Sequence, residues 1–400
     1  MVAEGGDQGP PAVVAALPVD PDLDERVLTE RIGRAERAVD ALRFRIESTD
    51  TGVINLATDP GRLGITEIRR FELEKQLQAD LNRAAAETTF DRTAGPLCSV
   101  VVYDLDGPSV PRRRWLVWFF DHLIADMISV DLFKAAWAAD EDFQDLSGYG
   151  DWLRDQNTAY QNTSGPDGDF WREHLGTVAP RVCDDLHFRR ATNDHSPDLR
   201  VVGRRLPVDD RIRAVCATQM LTTFALVAGA HVLALSDATG RTKMTVAVSS
   251  HGRDDTTSTL FGNLANMLVV RVDVDPDDRE LGTLENVQDA LLDTATHAPS
   301  PLPFVHEAVG ADPDVLTSST VTLNHIPHFS VTEEEFVDLD GSEPRGKESG
   351  LWVDVVSWHE GDGVYLLVKF DPTRFDAAGV ERFLDQVAEY WEVFAILAGG

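Results

Sequence analysis

Apolar segments with strand-like and helix-like spacing alternate along all 400 residues without a repeat at any fixed period. That alternation leaves little room for anything but layered sheets and helices. The sharpest transition lies at residues 114–139. An apolar strand from Arg114 to Phe120 gives way to the loop Asp121-His122-Leu123-Ile124-Ala125-Asp126. A helix then runs from about Ser129 to Ala139, with Leu132, Phe133, Ala136 and Trp137 at helical spacing. A strand end delivers a side chain to a reproducible position, which suits a histidine that has to meet a substrate within hydrogen-bond reach. Alone, a histidine four residues before an aspartate is a weak signal.

The same reading predicts a loose tail over residues 1–20, a first half over 21–178, a crossing segment over 179–199 and a second half over 200–400. In the first half, helices are expected near Leu23–Leu42, Ile68–Glu87 and Gly150–Gln161. Strands are expected near Arg43–Glu47, Leu97–Tyr103 and Arg114–Phe120. The second half opens with a strand (Arg200–Leu206) and one long apolar helix from Pro207 to about Leu235. Strands follow at Met244–Ser250 and Met267–Val274, then a helix at Thr283–His297. Late strands Trp352–Trp358 and Val364–Phe370 flank the turn Glu360-Gly361-Asp362-Gly363, before a final helix from Asp376 to Leu397.

Composition narrows the partners. Hydrophobic residues at 43% and charged residues at 26% fit a soluble globular chain able to bury two cores. The net charge of −32 opposes binding to nucleic acid or to an anionic membrane, both of which need Lys and Arg. Three scattered cysteines, Cys98, Cys183 and Cys216, fit a reducing cytoplasm better than a disulfide framework.

The loop around His122 resembles the H-H-x-x-x-D-G motif of condensation domains of nonribosomal peptide synthetases. It is also similar to the H-x-x-x-D of the chloramphenicol-acetyltransferase-like acyltransferases. His122 falls on the second histidine, Asp126 on the aspartate and Ser129 on a serine often found after it. Asp121 replaces the first histidine and Met127 the glycine. Further similar segments occur in the same order: Ala41-Leu42-Arg43-Phe44-Arg45-Ile46, Phe90 to Leu97, Phe170-Trp171-Arg172-Glu173-His174-Leu175, Gly252-Arg253 with Gly262 to Arg271, Pro303-Phe304 and Thr322-Leu323-Asn324. The family's opening S-x-x-Q-x-x-L-W has no match between Met1 and Asp40.

The resemblance implies two chloramphenicol-acetyltransferase-like α/β sandwich halves, arranged as a V-shaped pseudo-dimer with a tunnel between them. It implies transfer of an acyl or aminoacyl group from a phosphopantetheine thioester, on a carrier protein or coenzyme A, to a small amine or alcohol. No tightly bound cofactor or metal is expected, and the chain is expected to act as a monomer. His122 would take a proton from the nucleophile or hydrogen-bond the tetrahedral intermediate. Asp126 would brace the loop through an ion pair, with Arg43 as the expected partner and Arg253 the runner-up. Asp121, Met127, Ser129, Asn266 and Asn324 are candidates for the tunnel wall or the oxyanion site. An acidic carrier protein would need a basic patch, for which Arg112-Arg113-Arg114 is the first candidate and the group Arg189, Arg190, Arg200, Arg204 and Arg205 the second.

Other constellations fail. Pro327 separates His325 from His328 as ligands on one helix, and Asp338-Leu339-Asp340-Gly341 lacks calcium-loop spacing. Walker, G-x-G-x-x-G and G-x-S-x-G motifs do not occur. Cys98 reads as core. An epimerase is disfavoured because Ser249 stands where the E-G-H-G-R of epimerisation domains has its glutamate. A catalytically silent module that binds a partner protein is the alternative to the acyltransferase.

Overall fold

The computed structural model describes residues 12–49, 52–57, 61, 63–139, 143–176, 182–192, 199–311, 321–326 and 353–397. The first sheet has the order β1-β6-β5-β4, from β1 (Val13–Val19), β4 (Ile65–Phe71), β5 (Cys98–Gly107) and β6 (Val110–Phe120). A separate hairpin pairs β2 (Phe44–Thr49) with β3 (Gly52–Ala57). From Trp115 to Phe120 both faces of β6 are buried. Leu116, Trp118 and Phe120 enter the core beneath α1 (Glu25–Ala38) and α3 (Met127–Ala138), while Trp115, Val117 and Phe119 pack with Leu77 and Leu81 of α2 (Glu74–Glu87). This explains why the end of β6 reads as an uninterrupted apolar run rather than an alternating one. Helices α4 (Tyr149–Ala159) and α5 (Pro166–Leu175) complete this part of the chain.

The second sheet has the order β7-β12-β11-β10-β8-β9. Its strands are β7 (Arg200–Pro207), β8 (Lys243–Ser250), β9 (Asn266–Asp273), β10 (Val321–Ile326), β11 (Val353–Glu360) and β12 (Gly363–Phe370). β10 runs parallel to both β8 and β11, and the remaining neighbours are antiparallel. α6 (Asp210–Thr218), α7 (Thr223–Thr239), α8 (Leu281–Thr296), α9 (Leu302–Val309) and α10 (Ala377–Phe394) surround it. Nearly every residue of α7 is buried, which is why its sequence is apolar all round. Among the described residues no single helix is long and apolar enough to cross a membrane.

Three expected elements differ. Val13–Val19, expected in the tail, pairs along its whole length with Arg114–Phe120. The helix expected from Ile68 begins only at Glu74, because Ile65–Phe71 is strand β4, parallel to β5. Its β-branched Ile65, Thr66 and Ile68 suit a strand, and the edge of β5 would otherwise lack a partner. The long helix after Pro207 is two helices bent by 97°. The break places Met220 at φ 55° and caps α7 through Thr222, whose hydroxyl accepts from the Ala225 amide at 3.0 Å.

The halves also exchange segments. α5 precedes the crossing in sequence, yet its Trp171 and Leu175 pack with Val269, Phe304 and Val305 of the second half. In return the loop from His251 to Ala265, between β8 and β9, reaches back into the first core with Phe261 and Leu264.

Candidate active site

The site is built where that returning loop meets the end of β6. Phe120 sits in an aromatic cluster with Phe133 and Phe261, the ring centroids 5.4 to 5.8 Å apart. The cluster fixes both the strand end and the incoming loop. Asp121 follows, its amide donating to Leu97 O at 2.8 Å. The buried Asp121 carboxylate accepts from Arg92 Nε (2.9 Å), Arg92 Nη2 (3.2 Å) and the Leu123 amide (3.0 Å). It therefore anchors the loop and does not line a tunnel, which corrects its place among the wall candidates.

Asp126 is the N-cap of α3, its Oδ1 accepting from the Ser129 amide at 2.8 Å. Its partner is Arg253, not Arg43. Arg253 Nη1 donates to Oδ2 at 2.6 Å and Nη2 to Oδ1 at 2.9 Å, with side chains only 4% and 6% exposed. Oδ2 also accepts the Leu264 amide at 3.0 Å. Arg43 instead donates from Nε to Glu36 O at 3.1 Å, near the end of α1. The runner-up partner prevails because the returning loop carries Arg253 directly over the N-terminus of α3.

Ser129 is committed in the same knot. Its hydroxyl donates to Gly262 O at 2.6 Å and accepts from the Gly262 amide and Arg253 Nη2, both at 3.0 Å. It neither caps α3 nor remains available to an oxyanion. Two glycines permit the loop's path. Gly252 has φ 63°, and a Cβ there would overlap Leu264 O; a Cβ on Gly262 would overlap the Tyr149 ring. The Tyr149 hydroxyl lies 3.1 Å from Leu123 O and 3.0 Å from Asn263 O, bridging the two loops. Burial, then the Asp126 charge, push its phenol well above the usual range, so it remains a donor.

Between these anchors lies His122, half-buried. Of the loop's three titratable side chains, Asp121 and Asp126 are held in ion pairs, and the His122 imidazole carries none among the described residues. Asn263 approaches it from the second half. Asn263 Nδ2 is 2.6 Å from His122 O and 3.4 Å from His122 Nδ1. Met127, at the first position of α3, is 56% exposed.

The remaining candidates have structural partners. Asn266 donates to Ala298 O (2.8 Å) and Ser300 O (2.7 Å) and accepts from the Met267 amide (2.9 Å), tying the start of β9 to the turn after α8. Asn324 Oδ1 accepts from Ser249 Oγ at 2.6 Å, linking β10 to β8. Among the described residues, every arginine of the proposed basic patches but Arg200 is ion-paired in place. Arg114, with its side chain 10% exposed, pairs with Asp104 at 2.6 Å, Arg112 with Asp22 at 2.6 Å, and Arg113 with Glu74. Arg189, Arg190, Arg204 and Arg205 pair with Asp184, Asp376, Asp385 and Asp362. Cys98 is buried and its thiol raised by burial, as a core residue requires. Among the described residues no cluster of His, Cys, Asp and Glu could hold a metal ion. His328 and the Asp338–Gly341 segment lie outside the described residues.

Sequence reasoning passes over Tyr149 and Asn263. Neither breaks a periodic pattern, and their role depends on a loop crossing whose only written signs are Gly252-Arg253 and Gly262.

Comparison with known proteins identifies the family and the fold. The family model described as "Condensation domain" matches residues 12–395. Malformin synthetase of Aspergillus tubingensis is 23% identical over 244 residues, 56% of this chain. A linear gramicidin synthase of Brevibacillus parabrevis is 24% identical over 313 residues, 69% of this chain. The chain spans only 4% of the length of each. A structure of the X-domain in complex with OxyB from teicoplanin biosynthesis superposes with a TM-score of 0.79 at 18% identity, over 99% of this chain and 91% of that one. With the family model matched over nearly its entire length, and the H-x-x-x-D loop closed by a segment from the opposite half, the chain belongs to the condensation-domain family.

Proposed function

We propose that the chain is an acyltransferase. It joins an acyl or aminoacyl group, carried as a phosphopantetheine thioester on a carrier protein or coenzyme A, to a small amine or hydroxyl acceptor. The thioester is already activated, so the protein's work is to place two substrates and assist the collapse of one tetrahedral intermediate. The observation that most supports this reading is the treatment of His122. Six side chains from both halves fix the loop around it, while its own imidazole carries no ion pair among the described residues.

The test is intact-mass analysis of acyl-loaded carrier proteins and acyl-coenzyme A incubated with this chain and a panel of amines and alcohols. Loss of acyl mass with appearance of amide or ester product is expected. His122→Ala should lower turnover by roughly 10²–10⁴-fold while leaving the melting temperature unchanged. Wild-type turnover in that variant would remove His122 from the reaction.

A second reading is a silent module that binds a partner protein. The ion-paired Asp121 in place of the first histidine favours it, as does likeness to an X-domain whose structure was solved as a complex with OxyB. Against it stands Met127: a side chain that plugged the site would be buried, and this one is more than half exposed. No product from any donor, together with equal partner capture by wild type and His122→Ala, would decide for the silent module.

A further inference from the structure

We infer that Asn263 is a positioning residue that holds His122 in its Nε2-protonated tautomer, so that the imidazole offers the reacting centre a hydrogen-bond donor rather than a base. The tautomer follows from the geometry alone; its use in acyl transfer rests on the function proposed above.

The first step is the orientation of the Asn263 amide. The atom 2.6 Å from His122 O has to be Nδ2, because an amide oxygen there would set two acceptors against each other. Asn263 Oδ1 is buried without a hydrogen-bond partner among the described residues, so the oxygen does not dictate the orientation; the contacts of Nδ2 do. The second step is the ring. The same Nδ2 lies 3.4 Å from His122 Nδ1, with one hydrogen still to place after the bond to the carbonyl. A lone pair on Nδ1 accepts that hydrogen, whereas a proton on Nδ1 would face it. The neutral ring therefore carries its hydrogen on Nε2.

The third step is rigidity. Residues on both sides of Asn263 are clamped: Gly262 by Ser129 and Arg253, and Leu264 by Asp126. The carbonyl of Asn263 itself accepts from Tyr149 at 3.0 Å. The backbone that carries the amide is thus fixed beside the imidazole by a loop from the opposite half, and the bond from Nδ2 to His122 O sets the side chain on it.

In the reaction, the acceptor nitrogen or oxygen bonds to the thioester carbon, and Nε2–H donates to the oxygen on which negative charge develops. The carbon–sulfur bond then breaks and the acceptor's proton ends on the departing sulfur. His122 finishes with the proton it began with.

The test uses the full chain labelled with ¹⁵N-histidine, at a pH where His122 is neutral, with ring signals read by two-bond ¹⁵N–¹H correlation. The His122 signals are those missing from His122→Ala. An unprotonated Nδ1 and a protonated Nε2 are expected in the wild type. In Asn263→Ala the two nitrogens should shift toward a mixture of tautomers, and kcat should fall about tenfold or more at unchanged KM, since a mis-set tautomer disables a histidine that remains in place. A protonated Nδ1 in the wild type overturns the inference even if Asn263→Ala fails to fold. So does a folded Asn263→Ala with the wild-type pattern. Absence of acyl transfer by the wild type, with the expected tautomer seen, counts against the proposed activity and leaves the tautomer assignment standing.

Discussion

The Arg253–Asp126 pair offers the strictest test of how this site is assembled, because it is buried, bidentate and formed across 127 positions of sequence. Asp126→Ala leaves the guanidinium with only neutral acceptors among the described residues: Ser129 Oγ and the carbonyls of His251, Leu260 and Gly262. Arg253→Ala leaves the carboxylate with only the Ser129 and Leu264 amides. Each single change strands a buried charge, and each should cost roughly 3–5 kcal/mol. Asp126→Ala loses its helix cap as well, about 1 kcal/mol that the double variant does not recover. Removing both charges relieves the stranding, so Asp126→Ala/Arg253→Ala should be no less stable than the worse single variant. The coupling energy should then be about 3 kcal/mol. Arg43→Ala, combined with Asp126→Ala, should show additive effects.

The assay is urea unfolding followed by tryptophan fluorescence, with hydrogen exchange at the Gly262 and Leu264 amides as a local readout. Those two amides bond to Ser129 Oγ and Asp126 Oδ2, so they should exchange faster in either single variant even if the two halves unfold in separate steps. Additive losses for Asp126 and Arg253, or coupling between Asp126 and Arg43, would refute the assignment.

Three further outcomes follow from the structure. Gly262→Ala should destabilise the chain by about 1–3 kcal/mol, since its Cβ would overlap the buried Tyr149 ring, and differential scanning calorimetry would show an unchanged melting temperature if the loop lay elsewhere. His231 is buried on α7, and burial lowers its pKa to about 4, so the unfolded chain binds a proton that the folded chain refuses as pH falls from about 6.5 to 4. Stability should drop across that window by on the order of 3 kcal/mol, and His231→Leu should lose this part of the acid sensitivity in urea midpoints measured at pH 7 and 4.5. Met127→Gly should change stability by no more than about 1 kcal/mol, given its exposed place in the first turn of α3, and should raise turnover with bulkier acceptors in a product assay by mass.

Elements written in local pattern are legible in the sequence. The end of β6, the helix after it and the β11–β12 hairpin carry long apolar runs or a glycine turn, and they appear within a few residues of where the spacing puts them. β1 escapes such a reading because seven residues beside a Pro- and Gly-rich start resemble a tail until β6 offers them a partner. β4 escapes it because Phe71, Leu77, Leu81 and Ala85 extend a helical spacing backwards across a strand. The partner of Asp126 cannot be read from spacing either. Arg43 and Arg253 are equally cationic, and only the route of the loop after β8 distinguishes them.

That route also explains why His122 and the groups that hold it come from different halves. The first half alone supplies His122, Asp126 and the strand end, but leaves Asp126 without its cation and Nδ1 of His122 without its donor. The loop from the second half supplies both within eleven residues, Arg253 to Asn263. It is fastened through three buried groups: a guanidinium, a serine hydroxyl and a phenol. Any motion that parts the halves would have to break these bonds together. The geometry of His122 is therefore tied to closure of the two halves, and a variant that loosens the loop should lose the histidine tautomer and the buried ion pair at the same denaturant concentration.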